Sequence, residues 1–159
     1  MNPVIYMLMG CLGTLGYNIL FNIRGVKLAL ATLGGLLCCM VFFALEPLFP
    51  GESIRYCLTA AVVTAYGETL ARVQKTPTTT FLVPSIVPLI PGSALYYTMN
   101  YALNEQWSEF GQQAFYTLQL TFALAAGIIA MTTVVRLISV LIRKRKKAEK
   151  GSLFHHSIR

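Results

Sequence analysis

The residues best placed to do chemistry lie between Phe81 and Tyr97, in the run FLVPSIVPLIPGSALYY. Pro84, Pro88 and Pro91 follow one another at spacings of four and three, with Gly92 directly after. On a helix, residues at those spacings share one face. Each interior proline removes a backbone N–H and drives its ring toward the carbonyl four residues earlier. In hydrocarbon a freed carbonyl is costly, so broken backbone persists only where protein or a watery cavity covers it. The run therefore predicts a discontinuous helix beside a solute path. The chain can restart as a helix at Ser93, whose hydroxyl suits a cap. The N-terminus of that second half would carry partial positive charge and unpaired N–H groups. Transporters aim such half-helix ends at carboxylates near the bilayer centre. The candidate substrate-binding residues are Ser85, Pro88, Pro91, Gly92, Ser93, Tyr96 and Tyr97, with Asn100 as a further amide. The plainer alternative is a kinked helix whose freed groups are satisfied by neighbouring helices.

Glu68 and Arg72 form a second candidate. They stand four residues apart, acid first, which is the favoured order for a helical ion pair. An acid within a membrane is a functional candidate, and Glu68 could carry a coupling proton. The alternative is an interfacial pair with Arg72 reaching to the headgroups. Arg55 is a base at an end where acids prevail. It either pairs with Glu52 or meets an anion, and the pair is favoured. No serine between glycines, no histidine inside an apolar run and no cluster of acids points to an enzyme. Cys11, Cys38, Cys39 and Cys57 lack metal-ligand spacing. They read as small packed hydrophobes. Neither cofactor nor metal is implied. No phosphate-binding loop appears, so energy for transport would come from a gradient or a partner.

The elements that must position these groups follow from composition. The 159 residues are 55% hydrophobic and 12% charged, with a mean hydropathy of +0.61. A soluble domain carries about 25% charged residues, so an all-α integral membrane protein in a lipid bilayer is expected. The net charge of +7 does not point to nucleic acid. Arg143, Lys144, Arg145, Lys146, Lys147 and Lys150 sit in one run, and no basic face appears elsewhere.

A helix needs about 20 apolar residues to cross the hydrocarbon. The apolar runs predict five transmembrane helices at residues 3–23, 28–48, 53–71, 77–103 and 113–142, the fourth proline-broken. A basic cytoplasmic tail, 143–159, follows. The first basic residue is Arg24, so no positive region precedes the first apolar run, which reads as a retained span. Gly10, Gly13 and Gly16 in that run predict close helix contacts. Thr76 followed by Pro77 predicts a capped helix start. Trp107 and Tyr101 suit the membrane interface.

Lysine and arginine flank the cytoplasmic ends of membrane helices. The turns at 24–27 and 72–75 hold bases, and those at 46–52 and 104–111 hold acids without bases. The N-terminus is therefore expected outside and the C-terminus in the cytoplasm.

Ala71-Arg72, Thr76-Pro77 and then VPSIVPLIPGSALYYTM (Val83–Met99) form a pattern with PLIPG at its core. This pattern resembles the threonine/serine exporter family. It is most similar to the small membrane subunit of the family's split, two-gene form. The resemblance rests on about thirty residues, and the basic extension from Arg143 is not part of it. It implies export of small metabolites across a bacterial inner membrane: threonine and serine for the family, succinate for the split form. It also implies a larger membrane subunit that supplies the other half. Five small helices leave little room for two gates around a site, which independently suggests a hetero-oligomer. The expected function is thus a subunit of a secondary exporter of small carboxylate-bearing metabolites. The alternatives are a non-transporting scaffold that stabilises a partner, and a channel-like pore.

Overall fold

The computed structural model describes residues 3–156, with side chains described over 4–142. The described residues form helices α1 (Pro3–Leu20), α2 (Val26–Ala44), α3 (Glu52–Val73), α4 (Thr79–Ile86), α5 (Gly92–Leu103) and α6 (Trp107–His156). A 3-10 turn, Val87–Leu89, continues α4. No strand occurs among the described residues.

Three helices end in the same way. Asn22, Lys75 and Glu105 take left-handed backbone angles, with φ of 58°, 52° and 56°. The following N–H of each bonds back five residues: Ile23 to Asn18 O at 2.9 Å, Thr76 to Ala71 O at 3.0 Å and Gln106 to Tyr101 O at 3.0 Å. This satisfies carbonyls left open at a helix end and reverses the chain within a few residues. The Thr76 hydroxyl does not cap the next helix. It is buried without a partner, and α4 begins at Thr79. α6 starts at Trp107, earlier than expected, because the chain turns at Glu105 and Glu109 sits in the new first turn. An acid there complements the helix dipole. At its other end α6 continues through the basic run to His156.

By length and apolarity, Val26–Ala44 and Trp107–Ile142 can each cross a membrane. The pair Thr79–Leu89 and Gly92–Leu103 passes the same test together and is bent by 58°. α1 is apolar but only 18 residues long. α3 has 22 residues and carries Glu52, Arg55, Glu68 and Arg72.

α2 lies at the centre, packed by α1, α3 and α4, while α6 lies along α3 and α5. Close approach depends on missing side chains. A Cβ on Gly34 would strike Ser85 of α4, one on Gly35 would strike Thr14 of α1, and one on Gly127 would strike the Cys57 carbonyl of α3. In a membrane such contacts replace the hydrophobic effect as the source of helix association. The spacing of α1's glycines misleads here. Gly10 meets Cys39 and Pro88, but a Cβ on Gly13 or Gly16 would meet open space. Every third residue on a helix drifts by about 60°, so only one of the three faces the neighbour.

Polar side chains tie the helices where they are buried. Tyr66 donates to Leu30 O across α3 and α2 at 2.8 Å. Asn18 donates to Thr32 across α1 and α2 at 3.2 Å. Thr98 and Thr117 join α5 to α6 at 3.0 Å. The apolar centre is formed by Cys38, Ala60, Val63, Ile86 and Leu89.

Candidate functional site at the helix break

The break falls between the 3-10 turn and α5. Ile90 leaves the helix with φ −64° and ψ 124°, and Pro91 stands before the first residue of α5. The Gly92 N–H bonds to Ile90 O at 2.7 Å, and Leu95 N–H to Pro91 O at 3.1 Å. Proline at the entry to a helix wastes no N–H and brings a suitable φ. The restart therefore comes one residue before Ser93, and no side chain caps it. Pro84 lies inside α4 and is fully buried. Its disturbed backbone is covered by protein, as hydrocarbon requires.

The break lines a cavity of about 680 Å³. Pro88, Pro91, Gly92 and Ser93 form one wall, and Ala94 extends it into the first turn of α5. Tyr6 and Gly10 of α1, with Cys39 and Phe42 of α2, form a second wall. Glu46, from the loop after α2, stands beside them. Glu52, Arg55 and Tyr56 of α3 close a third side, with Tyr116 and Leu120 of α6.

The charged group here is compact. Arg55 is 9% exposed although it is a cation. Its guanidinium lies 5.0 Å from the centre of the Phe42 ring. That distance is within the range of a cation–π contact. A loose ion pair of 3.7 Å joins it to Glu52, and its Nε has no hydrogen-bond partner. Glu52 accepts a hydrogen bond from the Tyr116 hydroxyl.

Four of the seven expected binding residues thus meet: Pro88, Pro91, Gly92 and Ser93. Ser85 lies elsewhere. It is fully buried and donates to Phe81 O at 2.6 Å, with Ala31 O at 3.4 Å. Tyr96 and Tyr97 are 67% and 51% exposed and turn away from the cavity, packing edge to face on each other. Glu68 and Arg72 form the expected ion pair at 3.6 Å. Arg72 also donates to Ser139 and to Val135 O, the latter at 3.3 Å, fastening α3 to α6. This group does not line the cavity.

Phe42, Glu46, Tyr56 and Tyr116 carry no local signature and are absent from the sequence-based candidates. Arg55 did carry one: a base at an end where acids prevail. The structure places it both in the pair with Glu52 and at the cavity. Among the described residues, no three side chains of His, Cys, Asp or Glu gather to hold a metal.

Against known families, the description "Threonine/Serine exporter, ThrE" matches residues 6–134. That match covers the cavity and the break and ends within α6. No curated protein and no solved structure matches the chain.

Proposed function

Because the chain belongs to the threonine/serine exporter family, a family of membrane transporters, we propose that it is a membrane subunit of a secondary exporter of small carboxylate-bearing metabolites. The observation that carries this reading is the cavity at Pro88–Ser93. A broken helix presents uncapped backbone N–H groups and positive dipole charge to that space. A carboxylate complements both, as at other discontinuous transporter helices. The candidate solutes are threonine or serine, or a dicarboxylate such as succinate.

The reading includes five crossings at residues 1–142, with α4 and α5 forming the fourth and the basic run in the cytoplasm. The charge pattern of the turns supports that orientation. The cavity gathers the first helix's start, the turn after α2 and the early part of α6. All of these belong to the outer side in that orientation, in a bacterial inner membrane. Glu68 and Arg72 then stand toward the cytoplasmic side, as the candidate coupling pair.

A larger membrane subunit is proposed to complete the exporter. The cavity is bordered by helices of this chain alone, and an inverted-repeat transporter places its site between two such helix sets. Efflux of radiolabelled threonine and succinate, from cells carrying both subunits and cells carrying either alone, tests the reading. Efflux that needs both supports it. If assembly with the larger subunit proceeds normally and no efflux follows, the chain is a scaffold. Transport by this chain alone in reconstituted vesicles would remove the need for a partner.

A further inference from the structure

Among the described residues one cation lines the cavity, Arg55, and it is held in an unusual way. Arg55 is nine-tenths buried in the first turn of α3, where the positive-inside pattern disfavours a base. Its ring contact with Phe42 fixes the guanidinium but uses none of its N–H groups. Its counter-ion Glu52 stands off at 3.7 Å, beyond the 2.7–2.9 Å or so of a charge-assisted hydrogen bond. Its Nε donor is unused. A buried arginine with an idle donor is expensive unless a ligand completes it. Glu52 does not depend on Arg55 in the same way. Its side chain is 47% exposed, and it receives the Tyr116 hydroxyl. It can therefore release Arg55 without being left bare.

We propose that Arg55 is the carboxylate-binding residue of this cavity and that Glu52 is its exchangeable counter-ion. The inference rests on the exporter reading and goes beyond it by assigning the ligand group. A solute carboxylate takes the guanidinium with two parallel N–H bonds, the geometry that arginine offers and lysine does not. Glu52 moves back onto Tyr116 and solvent as the solute enters, and returns when the solute leaves. Phe42 keeps the guanidinium in place through both states. The N-terminal turn of α5, across the same cavity, adds positive dipole charge on the solute.

The two residues make opposite predictions, which a purely structural ion pair does not. Competition for efflux of radiolabelled threonine by unlabelled threonine, succinate and threonine amide reads them. The assay uses cells carrying the full chain with its larger subunit, and membrane levels of each variant are matched. In the wild type, threonine and succinate compete and the amide does not. Arg55→Gln raises the half-saturating concentration of the carboxylates by about tenfold or more, the worth of a charged hydrogen bond. Arg55→Lys recovers only part of it. Glu52→Gln lowers that concentration, because the internal competitor loses its charge while an amide still accepts from Tyr116. Equal weakening by Arg55→Gln and Glu52→Gln overturns the proposal and makes the pair structural. Carboxylate efflux that survives Arg55→Gln with unchanged half-saturation overturns the assignment and leaves the exporter reading intact. Absence of efflux in the wild-type pair overturns both.

Discussion

The guanidinium of Arg55 faces the ring of Phe42 at 5.0 Å from its centre, joining the start of α3 to the end of α2. Phe42 in turn meets the ring of Tyr56 edge to face at 5.2 Å. The cation is thus seated on an aromatic floor inside the cavity. Phe42→Leu keeps an apolar side chain and removes the ring. A cation–π contact of this kind contributes about 0.5–2 kcal/mol. The expected outcome is a several-fold fall in efflux with normal membrane insertion, measured by initial rates at matched protein levels.

The break at Pro91 has a separate consequence. Pro91→Ala allows the 3-10 turn and α5 to join by ordinary helical bonds, which closes the N-terminus now facing the cavity. Efflux is expected to fall several-fold while the chain still assembles with its partner, as judged by co-purification. If co-purification is lost as well, the broken segment serves assembly instead.

Close packing of α2 predicts unequal effects of two identical substitutions. Gly34→Ala places a Cβ against the Ser85 side chain and about 3.0 Å from Tyr66. Overpacking of this kind costs about 1–3 kcal/mol. Gly16→Ala meets nothing within 4 Å. Thermal denaturation in detergent is expected to show a clear loss for the first and almost none for the second.

At the far end of α3, Arg72 is half exposed, with its Glu68 partner mostly covered. Exposed ion pairs contribute about 0–1 kcal/mol. Arg72→Gln also gives up the two contacts to α6, so a modest fall in melting temperature is expected. Its contacts to Ser139 and Val135 tie α3 to α6. A loss of efflux with membrane levels matched to the wild type in this variant supports a coupling role for Glu68 and Arg72. Normal efflux reduces them to an interfacial pair.

Orientation can be read directly. Alkaline phosphatase is active only outside the cytoplasm. Fusions near residues 50 and 108 are expected to be active, and a fusion near residue 75 inactive. Activity near residue 75, or inactivity near residue 108, contradicts five crossings with the N-terminus outside.

Local rules made much of this molecule legible from its residues. Apolar runs of membrane length, turns that alternate between bases and acids, and three prolines before a glycine are properties of neighbours in the chain. They pointed to a helical membrane protein with a disrupted stretch near Pro91, and the PLIPG pattern pointed to its family. The pairs Glu52–Arg55 and Glu68–Arg72 were legible for the same reason, since each spans one helical turn. Relative rotation of helices is not such a property. It decided that Gly10 packs while Gly13 and Gly16 do not, and that Ser85 bonds into the α2–α4 contact instead of lining the cavity. It turned Tyr96 and Tyr97 outward. It also brought Phe42, Glu52, Arg55 and Tyr116 to one cavity with Pro88–Ser93, from four parts of the chain. The Tyr116–Glu52 hydrogen bond joins residues 64 apart in sequence, so only packing of α6 along α3 could create it. The break was written in the proline spacing; the cation that faces it was placed by the fold.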